Sequence, residues 1–127
     1  LASESEWGTS WFGSTNWYRV EHDFEKLLAV KAPCKVLMFS SCCEPGKARP
    51  GKETNFSLEY AQGRLRTSLV NYWHHIPGEF YIFIDLPQTG KQGDDGVYTS
   101  FFWSAEKFGK ANEVEFEVGW KDKLARP

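Results

Sequence analysis

The patterning of this chain predicts an all-β, mainly antiparallel fold: a single-domain β-sandwich or small β-barrel of six to seven strands with little helix. Three observations point there. Apolar and polar residues alternate over several short stretches, the period of a strand with one buried face. Clusters of Gly, Pro, Asn and Asp separate those stretches and mark turns. One run, Glu79 to Leu86, is densely apolar and rich in the β-formers Phe80, Tyr81, Ile82, Phe83 and Ile84.

Taken in order, residues 1–16 read as an aromatic-rich N-terminal arm, because Trp7, Trp11 and Phe12 are interspersed with Gly8, Gly13 and small polar residues. From Trp17 to Phe24, Tyr18, Val20, His22 and Phe24 alternate with Trp17, Arg19, Glu21 and Asp23, which predicts a half-buried strand. Glu25 to Val30 fits a short helical turn or the beginning of a strand, and Pro33 interrupts it. Cys34 to Ser40 reads as a buried strand. Cys42 to Lys52 contains Pro45, Gly46, Pro50 and Gly51 and is the clearest long loop.

Thr54 to Tyr60 alternates again and reads as a strand. Leu65 to Trp73 fits a helical stripe through Leu65, Leu69, Tyr72 and Trp73 and nearly fits a strand; the strand is preferred. After the Pro77-Gly78 turn, Glu79 to Leu86 is expected to be a central strand. Gln88 to Gly96 is a polar hairpin loop leading to a strand over Val97 to Trp103, and Lys107 to Asn112 is a further turn. The final strand shows Val114, Phe116 and Val118 inward and Glu113, Glu115 and Glu117 outward. No internal repeat or linker divides the 127 residues, so one domain is expected.

Composition narrows the function. Fifteen Lys and Arg against 17 Asp and Glu give a formal charge of -2, which creates no long-range attraction to nucleic acid. No stretch approaches the roughly 20 apolar residues of a membrane-spanning helix, although docking to a membrane-embedded complex stays compatible. The chain opens on Leu1, which suits a processed N-terminus and an organellar or secreted location. Aromatic residues make up 17% of the chain: ten Phe, six Trp and five Tyr against one Met. Each ring can bury roughly 150–250 Å², so the rings dominate either the core or a contact surface.

Motifs that carry chemistry are sparse. His74-His75 are adjacent and point to opposite faces of an extended chain, and no pair of ligands has zinc-site spacing, so neither a metal nor a cofactor is expected. Asp94-Asp95-Gly96 suits a hairpin loop better than a calcium loop. Glu113, Glu115 and Glu117 read as a solvated strand face rather than a catalytic set. Cys42 and Cys43 lack the C-x-x-C spacing of a redox centre; Cys34 paired with Cys42 or Cys43 is the candidate disulfide. The sequon Asn55-Phe56-Ser57 matters only in a secreted chain.

Two features favour binding over catalysis. Trp7, Trp11, Phe12 and Trp17 crowd a region too polar for a main core strand, and Trp17 falls on the polar face of its expected strand; such rings anchor protein interfaces or stack on sugars. Lys47, Arg49 and Lys52, near Arg64 and Arg66 if the flanking strands pair, form a basic loop suited to an acidic partner. The expected function is therefore a non-catalytic accessory subunit, docked into a larger protein assembly through its aromatic arm, basic loop and termini. The alternative is a carbohydrate-binding, lectin-like domain using exposed Trp and Tyr.

Overall fold

The computed structural model of the protein describes residues 2–6, 17–41, 56–86 and 97–123. Its elements run β1 (Ala2–Glu6), α1 (Trp17–Ala29), β2 (Cys34–Phe39), α2 (Leu58–Asn71), β3 (Phe80–Asp85), β4 (Val97–Ser104) and β5 (Glu117–Lys123). The strands form one mixed sheet in the order β1-β2-β3-β4-β5. β1, β2 and β3 are parallel, and β4 and β5 return antiparallel. The all-β sandwich or barrel of six to seven strands is therefore corrected to an α/β arrangement in which two helices connect parallel strands, as parallel pairing requires.

Two helices lie where strands were expected, for identifiable reasons. In α1 the buried residues include Trp17, Val20, Phe24, Leu27 and Leu28, the i, i+3, i+7, i+10, i+11 stripe of a helix. Val20 and Phe24 are four residues apart, a spacing that satisfies a period of 2 as well as 3.6. The alternation through Tyr18 and His22 was therefore coincidental, and both are exposed. In α2 the stripe is Ala61, Leu65 and Leu69. Ser57 caps it, its hydroxyl accepting from the Tyr60 amide at 3.1 Å. The segment Thr54 to Tyr60 thus holds a helix start, and Leu65 to Trp73 follows its helical alternative.

Both helices cover the same face of the sheet. Leu37 and Phe39 of β2, Tyr81 and Phe83 of β3, and Phe101 of β4 meet Val20, Phe24, Leu27, Leu65 and Leu69 in one buried cluster. The rings interlock edge to face: Trp17 lies 6.3 Å from Phe39 and 5.1 Å from Phe56, and Phe116 lies 5.0 Å from Phe101. On the opposite face Cys34, Val36, Met38, Phe80, Ile82, Ile84 and Phe102 are half-buried.

β2, β3 and β4 match their expected positions closely, and β3 is central as its composition implied. The last strand differs. Val114 and Phe116 pack against the core before β5 begins, while Val118 is 67% exposed on this edge strand. Its pairing with β4 shifts register, with Ser100 opposite Trp120 and Phe101 opposite Val118. Gly119 is the extra residue of this bulge, where a Cβ would lie 2.6 Å from Ser100 Oγ.

Candidate interaction surface

Two buried polar clusters close the ends of the sheet. Because β2 and β3 run parallel with Phe39 opposite Asp85, the residues following β2 reach the Asp85 carboxylate. The Ser41 amide donates to Oδ1 at 2.9 Å and the Ser41 hydroxyl to Oδ2 at 2.6 Å, while Ser40 Oγ donates to the Leu86 carbonyl at 2.6 Å. Asp85 is 2% exposed. Burial pushes its carboxyl up to about 6, against the opposing pull of the two Ser41 hydrogen bonds.

At the other end, Lys35 Nζ donates to Glu79 Oε1 at 3.1 Å, to the Tyr81 hydroxyl at 3.2 Å and to the Leu28 carbonyl at 3.3 Å. The Tyr81 hydroxyl in turn donates to Glu79. Burial lowers the Lys35 pKa from its ordinary value, against the raising effect of Glu79. Burial, reinforced by Glu79, raises that of Tyr81. His75 completes the cluster: Nε2 lies 2.7 Å from the Leu69 carbonyl, and Nδ1 lies 3.6 Å from Glu79 Oε1 with no hydrogen-bond partner. Both clusters are enclosed, and their bonds tie strand ends and helix ends together.

The accessible feature lies above the second cluster. The His75 and Gly109 backbones exchange two hydrogen bonds, at 3.2 and 3.0 Å, so residues 73–75 run beside 107–110. Gly109 has a φ of 90°, a left-handed conformation that favours glycine. This pairing presents Trp73 and Phe108, which are 66% and 79% exposed. Lys110 Nζ lies 5.0 Å from the Trp73 ring centre. Beside them opens a groove of about 550 Å³, its lining including Phe102, Trp103 and Phe116, four glutamates and two lysines.

The residues expected to make contacts fall differently. Trp17 is 1% exposed and packs at the start of α1, so it belongs to the core; the strand face assigned to it from sequence does not exist. Trp7, Trp11, Phe12, Lys47, Arg49, Lys52, Cys42 and Cys43 lie outside the described residues. Arg64 and Arg66 are engaged on α2: Arg64 pairs with Glu21 at 2.7 Å, and Arg66 Nε donates to the Val114 carbonyl at 3.0 Å.

Cys34 is a half-buried free thiol that opens β2, and its candidate disulfide partners Cys42 and Cys43 lie outside the described residues. His74 is exposed and His75 buried, the opposite facing expected of them. Among the described residues no group of three or more His, Cys, Asp and Glu could hold a metal, and no helix is long and apolar enough to cross a membrane.

Sequence reasoning missed Trp73 and Phe108. Phe108 did carry a signal, as a large aromatic within the polar run Glu106 to Lys110. Trp73 was hidden at the end of a stretch read as a strand. Compared with known proteins, the chain matches no family model, no curated protein and no solved structure.

Proposed function

We propose that this domain is a non-catalytic interaction module, an accessory subunit that docks into a larger protein assembly through the surface around Trp73 and Phe108. The observation that carries this reading is the exposure of two large aromatic rings on paired segments that border a groove. Scattered single apolar residues are ordinary on protein surfaces. Two large rings on a hydrogen-bonded scaffold are the kind of anchor that dominates protein interfaces, where Trp is among the commonest hot spots. The polar clusters that could supply acid or base groups are enclosed, which favours contact over catalysis. The aromatic arm and the loop bearing Lys47, Arg49 and Lys52 remain part of the proposal on their composition.

The saccharide-binding alternative is weaker, since Trp17 is in the core and Lys110 lies over the ring of Trp73. The test is native electrophoresis of gently solubilised source material followed by mass spectrometry, comparing the wild type with Trp73→Ala/Phe108→Ala. The wild type is expected to co-migrate with a fixed set of other proteins, and the double variant to be released while its circular dichroism and melting temperature stay unchanged. Migration of the wild type alone, or retention of the variant in the assembly, would overturn the proposal.

A further inference from the structure

We propose that the groove seats an extended, basic segment of a partner protein, its Lys or Arg side chains against Glu113, Glu115 and Glu117 and its apolar side chains against Trp103 and Phe116. This rests on the interaction reading above and specifies the partner's chemistry. The geometry comes first. Residues 113–117 alternate exposed, buried, exposed, half-buried, exposed. Three carboxylates therefore project on one side at the roughly 6–7 Å repeat of an extended chain, which matches alternate side chains of a peptide lying alongside. The segment is held from behind: Val114 is in the core, its carbonyl accepts from Arg66, and the Arg66 guanidinium lies 5.1 Å from the Phe116 ring centre.

Charge and hydrogen-bonding capacity agree with that geometry. The lining holds Glu106, Glu113, Glu115 and Glu117 against Lys107 and Lys110. Among the described residues none of these carboxylates is in an ion pair, and the Lys110 ammonium lies over Trp73. The groove's walls also carry apolar surface from Phe102, Trp103 and Phe116. Four carboxylates against two ammonium groups leave the wall net acidic, which Lys and Arg, whose side chains only donate, complement. From Glu117 the chain is β5, an edge strand whose outer side pairs with no described strand. A segment following the carboxylates can continue there as an added strand.

The test uses the full chain and fluorescently labelled synthetic peptides: alternating Lys-Val, alternating Glu-Val, and a block peptide with the Lys residues first and the Val residues after. Anisotropy should show saturable binding of the alternating Lys-Val peptide, at least about tenfold tighter than the block peptide, and none of Glu-Val. Glu113→Lys/Glu115→Lys should weaken binding at least about tenfold, whereas Glu25→Lys, a charge reversal on the exposed side of α1, should change it by less than about twofold. Absence of saturable Lys-Val binding, or equal effects of the groove reversals and Glu25→Lys, would overturn the proposal. A native assembly that depends on Trp73 and Phe108 while Lys-Val fails to bind would overturn the basic-segment chemistry alone. A chain that migrates by itself yet binds Lys-Val through Glu113 and Glu115 would overturn the assembly reading alone.

Discussion

Asp85 shows what burial does to one side chain. Its carboxyl titrates near 6 in the folded chain against an ordinary value of 3.8, so the folded state holds this proton more tightly than the unfolded state does. The sign follows from linkage: between about pH 4 and pH 6 the folded state binds more protons, so this residue's contribution to stability falls as pH rises. Above pH 6 the buried carboxylate costs about 2–3 kcal/mol relative to its protonated form. Asparagine keeps an oxygen for the Ser41 amide and cannot ionise. We therefore expect the stability of Asp85→Asn relative to the wild type to increase by about 2–3 kcal/mol between pH 4 and pH 7, measured by urea melts. A difference independent of pH would mean that Asp85 titrates normally.

Helix α2 shows where local chemistry outweighs pattern. Phe56, Leu58 and Tyr60 alternate as a strand would, yet the Ser57 hydroxyl takes the Tyr60 amide and commits the chain to a helix. Removing that cap with Ser57→Ala should cost about 1 kcal/mol, whereas Ser57→Asp, which can cap equally well, should be close to neutral. Thermal unfolding of the two variants checks this, and equal melting temperatures for Ala and Asp would discount the cap. The strands were more legible than the helices because β2 and β3 are flanked by other strands, with one face buried and the other half-buried. Their dense apolar runs leave few alternatives. α1 and α2 have half-exposed surfaces, and over a few residues a spacing of four fits either period. The groove was the least legible feature. It arises where the His75 and Gly109 backbones meet 34 positions apart, and no local pattern announces such a pairing.

At the scale of the whole molecule, Lys35 joins both layers. From β2 it reaches the end of α1 at the Leu28 carbonyl and, at the start of β3, Tyr81 and the preceding Glu79. Lys35→Met keeps the length and leaves Glu79 a buried charge without its cation, at an expected cost of about 3–5 kcal/mol. Lys35→Met/Glu79→Gln should recover much of that loss. Guanidinium melts decide it: a single variant within about 1 kcal/mol of wild type would show that the pair contributes little. The sequence by itself determined the short apolar strands over 34–40, 79–86 and 97–103, the absence of a long apolar span, the opposite facing of His74 and His75, and the solvent exposure of Glu113, Glu115 and Glu117. Each follows from local composition and the period-two geometry of an extended backbone. Tertiary structure alone decided that Trp17 is core, and that His75, Trp103 and the glutamate row line one groove. Those outcomes depend on which distant segments share a sheet face or a backbone bridge, and a one-dimensional pattern does not encode that proximity.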